Sequence, residues 1–405
     1  MKILHALAQY PDRTGSGIYC CSLINSLADL GLTDQALVFS HNPEQEIPQF
    51  AAEPYPVHFK TDKLPFPVVG MSDVMPYEST VYSQMSEEQI RSWKKAFREK
   101  LNEAVDEFNP DVIICHHLWM LASLCLELNL PTLCISHGTD IRQAEQHPEY
   151  FHTNVGDLRA LDKVAALSEI QVKQLKNTYG LKDEQIFLGG GAYNHIIFKP
   201  AAKREEGEIV RLAYVGKIAD AKGSFELIEA FRGIPEEEKV SLCMLGNIGD
   251  MAERFAKAKG DDERITLCMP QSQEIMAERL REKDIFVFPS YYEGLGLIAI
   301  EALATGLRLV VNDLPALRNF LGEEIWQDEH ISVVEMPRLI NVDEIHPDDR
   351  EAYIKRLRAA LLEQVQRFRE GNYAPSALSS SLQEFTWHGL ARRILAELEK
   401  IIRSK

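Results

Sequence analysis

Residues 284–305 read DIFVFPSYYEGLGLIAIEALAT, an apolar run, an acidic turn with two glycines, and a second apolar stretch. The run Asp284–Phe288 predicts a buried strand and Leu297–Thr305 a helix, with Glu293, Gly294, Leu295 and Gly296 in the turn between them. Strand, turn and helix in that order make one unit of a parallel sheet with right-handed crossovers. The same order recurs on both sides. One series of expected strands is Ile3–Ala8, Ala36–Ser40, Val112–Cys115, Thr132–Ser136, Lys163–Ser168 and Gln185–Leu188. The other is Val210–Val215, Val240–Leu245, Arg264–Cys268, Asp284–Phe288, Arg308–Asn312 and Ile331–Val334. Helical patterns lie between them, at Ile18–Leu30, Glu87–Glu107, Ser168–Tyr179, Ser224–Phe231 and Ser272–Arg281.

The alternation breaks once, at Phe198–Glu208, a polar segment with Pro200 and Gly207 that reads as an interdomain linker. This predicts α/β architecture with two doubly wound parallel-sheet domains: 1–199, completed by a last helix at 386–405, and 200–385. A polar turn, Ala377–Ser381, is expected before that helix. The chain of 405 residues is long enough for two such domains. Its formal charge of −17 opposes long-range attraction to nucleic acid or anionic lipid. The start, MKILHALAQYPD, reads as a first strand rather than a secretory signal. Seven cysteines without zinc or redox spacing predict buried thiols in a reducing compartment, hence a cytoplasmic protein.

In open parallel sheets ligands bind beyond the carboxyl ends of the strands, so the loops there are the candidate site. Gly15, Ser16 and Gly17 form a turn ahead of the first helix, an arrangement that lets backbone amides meet an anion. His137 and Gly138 follow the Thr132 strand, where an imidazole can hydrogen-bond a hydroxyl; His116 and His117, being adjacent, diverge and make a poor metal pair. Lys217 and Lys222, each beside a glycine, suit a diphosphate. Glu293 lies in the turn and Glu301 about two turns into the helix, with the amides of Gly294–Leu297 between them. A glycine run, Gly189–Asn194, closes the first series. Asp-x-Asp, His-Glu-x-x-His and Gly-x-Ser-x-Gly are all missing from the sequence, which leaves metal-dependent and serine-nucleophile mechanisms unsupported.

The pattern E-G-L-G-L-I-A-I-E, with Glu293 and Glu301 eight apart, resembles the E-x7-E signature of the retaining glycosyltransferases of family 4. The loop from Gly216 to Gly223 resembles that family's diphosphate-binding loop, and Gly15/Gly17, His137-Gly138, Asn194 and Trp387 fall where the family places its motifs. The resemblance implies the GT-B fold: two Rossmann-like domains facing across a cleft, the last helix crossing back to the N-terminal domain. It also implies a metal-independent, retaining hexosyltransferase without cofactor, using a nucleoside-diphosphate sugar, UDP-glucose or a similar UDP-hexose. The acceptor would be a glycan or lipid-linked molecule in polysaccharide or glycoconjugate synthesis, at the cytoplasmic membrane face if the contact is peripheral. Neither a nucleic-acid partner nor a particular oligomeric state is implied.

Carried over by residue, Glu293, Lys222 and His137 would be catalytic. Glu301 would hold the ribose, Lys217 and Lys222 the diphosphate with the backbone of Gly15, Ser16, Gly17 and Leu297, and Met269 and Gln271 would flank the base. Glu293 and the Gly294–Gly296 backbone, with Leu295, would hold the sugar. Lys217 departs from the usual arginine and loses a planar two-point contact with phosphate. The stripe Trp93, Phe97, Leu101 with Lys94, Lys95, Arg98 and Lys100 around it reads as a helix packed on its own domain, with membrane docking the lesser alternative. Competing readings are a GT-B-fold epimerase or phosphorylase and a catalytically silent nucleotide-sugar sensor. A nicotinamide dehydrogenase is disfavoured because Cys20 occupies the third glycine position of the dinucleotide fingerprint.

Overall fold

The computed structural model describes residues 1–201, 207–269, 272–341, 344–371 and 376–404. The chain divides into two compact units, Met1–Gly191 with Trp387–Lys405, and Ala192–Thr386.

The first unit is built on seven parallel strands: β1 (Ile3–Leu7), β2 (Gln35–His41), β3 (Glu53–His58), β4 (Val112–His116), β5 (Thr132–Ile135), β6 (Lys163–Ala166) and β7 (Ile186–Leu188). Their order across the sheet is 3-2-1-4-5-6-7, so the chain reverses direction of travel between β1 and β4. Every residue of β1, β2 and β4 is buried, as continuous apolar strands covered on both faces must be. β3 escapes the apolar pattern because its sequence, EPYPVH, carries two prolines; as an edge strand it has no ladder bond to lose on its open side.

Four main helices cover this sheet from within residues 1–191: α1 (Gly15–Asp29), α2 (Glu87–Phe108), α3 (Thr139–Gln146) and α4 (Glu169–Tyr179). In α2 the stripe Trp93, Phe97, Leu101 and Ala104 is buried, and a Ser86/Gln89 capping box opens the helix. The cations around the stripe are engaged: Lys94 donates to the Asn154 carbonyl, Arg98 pairs with Glu127 and Lys100 with Glu103. That face is therefore core, as its spacing predicts.

The second unit carries six parallel strands: β8 (Val210–Val215), β9 (Val240–Leu245), β10 (Ile265–Cys268), β11 (Ile285–Phe288), β12 (Arg308–Asn312) and β13 (Ile331–Val334), in the order 10-9-8-11-12-13. Its main helices are α5 (Ser224–Arg232), α6 (Gln273–Arg281), α7 (Leu297–Ala304) and α8 (Pro347–Arg369). α8 lies where the sequence reading set no element, its apolar residues being diluted among charges. Tyr353, Leu357, Leu361 and Val365 nevertheless recur at helical spacing and are buried against α5 and β13.

Several expectations are corrected. The division falls at 191/192 rather than 199/200, because Tyr193 pairs with Thr386 and Phe198 is buried in the second unit's core. The expected linker Phe198–Glu208 begins inside the second unit's core at Phe198, and its residues 202–206 lie outside the described residues. The expected turn at Ala377–Ser381 is instead part of a helix, Ser376–Leu382. The last helix, α9 (Trp387–Ser404), packs on α1, with Trp387 edge-on to Tyr19 at 5.1 Å and His388 Nε2 3.0 Å from Asp29. All seven cysteines are free thiols, but Cys268 is exposed, at the open end of edge strand β10, rather than buried.

Candidate functional site

In the second unit the loop after β8 runs from Gly216 to Gly223 and meets the loop after β11. Gly223 has φ +61°, and an added Cβ there would sit 2.2 Å from the Pro289 carbonyl oxygen. Only glycine combines that left-handed backbone with that contact. The two loops are also tied by the Tyr291 amide, which donates to the Ala221 carbonyl at 3.1 Å. Residues far apart in sequence thereby meet: Lys222 Nζ lies 2.8 Å from Glu293 Oε1, both side chains mostly sheltered from solvent. Lys217, in the same loop, holds its backbone through a Tyr214 hydroxyl donating to its carbonyl at 2.8 Å, and its own side chain is exposed.

Gly294 and Leu295 continue the Glu293 loop, and α7 opens on Gly296 with no side-chain cap. Its first amides, beginning at Leu297, are therefore left for an anion or another acceptor. Glu301, in the second turn of α7, is buried at 8% exposure among the apolar residues of the helix. Burial alone pushes its carboxyl up to about 7. A carboxyl so placed gains from a ligand that supplies hydroxyl donors. Met269, after β10, is exposed, whereas Gln271 lies outside the described residues.

In the first unit Gly15, Ser16 and Gly17 form the first turn of α1, not a loop ahead of it. Thr14 caps the helix, its hydroxyl accepting from the Gly17 amide at 3.0 Å, and Ser16 donates to Gln9 at 2.7 Å. Gly17 is fixed by packing: a Cβ there would lie 2.3 Å from the Tyr10 carbonyl oxygen. Gly15 has open space around it. Of the two glycines, Gly15 alone has open space beside its backbone.

His137 follows β5 and is half-buried. Desolvation, then the neighbouring His117 and His116, hold its imidazole well below the usual histidine range, so it is neutral at pH 7. A neutral imidazole can donate to or accept from a hydroxyl without carrying charge. His116 Nδ1 lies 3.1 Å from His137 Nε2, and Tyr19 stands edge-on to His137 at 5.1 Å. The loop itself is pinned by Asp140, fully buried, which accepts from the Ser136 hydroxyl at 3.0 Å and the Leu118 amide at 2.9 Å. Asn194 has a local role: its side chain accepts from the Ile196 amide at 3.0 Å and makes a tight turn.

Sequence reasoning missed His116 and Asp140 as supports of His137. His116 could have been found from strand period, since it ends β4 beside β5; the Asp140 contacts join two loops and carry no local signal.

The family models agree with this division. The model described as Glycosyltransferase Family 4 matches residues 13–188, and the one described as Glycosyl transferases group 1 matches residues 195–325. Among curated relatives, the D-inositol 3-phosphate glycosyltransferase of Nocardia farcinica is 28% identical over 191 residues, 42% of each chain. The mannosylfructose-phosphate synthase of Agrobacterium fabrum is 27% identical over 270 residues, covering 60% of this chain and 53% of that one. The chain thus spans about two-fifths to one-half of the length of these curated relatives. The solved sucrose-phosphate synthase of Thermosynechococcus elongatus superposes over 100% of both chains with a TM-score of 0.66 at 17% identity. Anabaena HepE in complex with UDP and glucose gives 0.61 at 13% identity, covering 98% of this chain and 99% of that one. The chain belongs to glycosyltransferase family 4, the glycosyl transferases group 1, and has the GT-B fold with its two Rossmann-like parallel-sheet domains.

Proposed function

We propose that the protein transfers a hexose from a nucleoside-diphosphate sugar, a UDP-hexose, to a hydroxyl of its acceptor with retention of anomeric configuration. The observation that carries this reading is the Lys222–Glu293 pair, which sets a cation and a carboxylate beside the uncapped start of α7. Breaking a sugar–diphosphate bond places negative charge on the departing phosphate and positive character on the anomeric carbon. Lys222 and Lys217, with the first amides of α7, would stabilise the phosphate; these cations take the place of a metal ion. Glu293 and the Gly294–Gly296 backbone would hold the sugar, and Glu301 would accept from the ribose hydroxyls. His137, neutral, would contact a sugar hydroxyl.

An acceptor hydroxyl attacking on the face from which the diphosphate leaves would retain configuration, its proton passing to the departing phosphate oxygen. A glycan or lipid-linked acceptor is the sequence-based expectation. The names of similar proteins, an inositol 3-phosphate glycosyltransferase and an N-acetylglucosaminyl malate synthase of Bacillus anthracis, favour small anionic acceptors as a second reading.

Calorimetric titration of UDP, GDP and ADP into the chelator-treated protein tests the donor assignment. UDP should bind, with affinity reduced about 10- to 150-fold in Lys222→Ala, the equivalent of one charge-assisted hydrogen bond. Equal, weak binding of all three nucleotides, unchanged in the variant, contradicts the assignment.

A further inference from the structure

We propose that His5, Cys20 and His116 form a binding site for a soft monovalent metal ion, Cu+, inside the first unit, distinct from the donor-binding residues. His5 lies on β1 and His116 at the end of β4, with Leu7 in register with His116. In-register parallel neighbours face the same way and side chains repeat every second residue, so His5, Leu7 and His116 share one sheet face. α1 covers that face with Cys20, which packs beside Leu7, Ile24, Leu37 and Phe39. One side-chain donor atom from each of the three residues lies within 4.8 Å of the other two, and all three residues are fully buried.

The hydrogen bonds around the trio leave one nitrogen of each imidazole bare. Gln35 donates through its amide nitrogen to the Ile24 and Leu32 carbonyls, both at 2.9 Å, which fixes its oxygen as the acceptor toward His5 Nε2 at 2.9 Å. His5 therefore carries its proton on Nε2, and its Nδ1, a buried lone pair, has no hydrogen-bond partner. His116 engages His137 through Nδ1, and its Nε2 is likewise buried without a hydrogen-bond partner. An imidazole held by its far N–H on an amide oxygen is the usual support of a metal-binding histidine. Each imidazole of the trio thus keeps one buried nitrogen without a hydrogen-bond partner, which is costly in an apolar core unless something joins it.

The donor set selects the ion. Two imidazoles and one thiolate suit copper and zinc among biological metals. Ligand atoms around such an ion stand roughly 3.5–4 Å apart, and the three donor atoms here all lie within 4.8 Å of one another. Charge decides between the two. On binding, Cys20 loses its thiol proton to solvent and a sulfur–metal bond forms. Cu+ with one thiolate and two neutral imidazoles is then uncharged, whereas Zn2+ would leave a buried positive charge. The copper stays Cu+ throughout, so no oxidant or reductant is involved. Bound at His116 Nε2, it would fix the His116 proton on Nδ1, pointing at His137.

The test is an anaerobic titration of the full chain, without a polyhistidine tag, with Cu+ against a chromophoric Cu+ chelator, followed by X-ray absorption on the loaded wild type. The expected result is about one Cu+ withheld per chain, with one sulfur and two nitrogen scatterers around it. Cys20→Ala and His5→Gln should each weaken retention at least tenfold, while Cys268→Ala, at an exposed thiol, leaves it unchanged. Loss of all Cu+ to the chelator overturns the site. Sulfur-only scattering with retention in Cys20→Ala also overturns it, placing the ion on other cysteines. Displacement of Cu+ by an equal amount of Zn2+ overturns the charge argument. The absorption spectrum reads the wild type directly, so the result does not depend on either variant folding.

Discussion

Lys222 and Glu293, 71 residues apart in sequence, meet at 2.8 Å because two loops at the ends of adjacent strands are locked together at Gly223 and Pro289. The pair neutralises each side chain, and a bound diphosphate would offer Lys222 a second anionic partner. Glu293→Gln removes the competing charge without changing size. It should tighten nucleoside-diphosphate binding by a few-fold, while sugar turnover falls at least 100-fold because the sugar loses its carboxylate. Binding by calorimetry beside turnover at saturating donor separates the two effects.

Glu301 predicts a pH dependence of stability. Its folded-state pKa, about 7, is above the ordinary value of 4.5, so the folded chain keeps the proton longer than the unfolded chain. The resulting stabilisation is complete below about pH 4.5 and is lost as pH rises towards 7 and just beyond. The full effect is on the order of 3 kcal/mol. Glu301→Gln, which stays neutral, should melt close to wild type at pH 4.5 and several degrees higher at pH 8, while binding UDP more weakly. Equal melting temperatures for the two proteins at both pH values would contradict the buried, unpaired carboxyl.

Gly223→Ala should destabilise the second unit and disable the site together. The variant forces a side chain into a left-handed backbone and against a carbonyl oxygen 2.2 Å away. The expected cost is about 1–3 kcal/mol, read as a lower melting temperature, with Lys222 displaced and nucleotide affinity reduced.

Asp140→Ala should destabilise the first unit by about 3 kcal/mol or more, since it strands the Leu118 amide and the Ser136 hydroxyl in the interior. Asp140→Asn keeps the acceptor for one of them and should cost less. Chemical denaturation of the three proteins orders them.

Most strands, and the starts of α4 and α6, were legible because burial on both faces demands continuous apolar runs and because the caps Ser168 and Ser272 stand just ahead of those helices; α3 and the start of α1 at Gly15 were not. β3 was hidden by Pro54 and Pro56, tolerated only because it is an edge, and α8 by the charges on its solvent face. The loop residues of the candidate site were legible from their place after strands. What joins them was not: Lys222 with Glu293, Asp140 with Leu118 and His116 with His137 are contacts between segments, set by strand order rather than by local pattern. The Gly15–Gly17 turn misled because a tight helix start and an anion-binding loop draw on the same residues.

The most direct test of the central claim is nucleoside-diphosphate release from UDP-, GDP- and ADP-sugars, with and without a divalent-ion chelator, in wild type, Lys222→Ala and Glu301→Ala. The expected result is slow, chelator-resistant release of UDP from a UDP-hexose, lost in both variants. Tight binding of a nucleotide sugar that is returned unchanged, or epimerised with its nucleotide still attached, across a panel of sugar, sugar-phosphate and lipid-linked acceptors would contradict it.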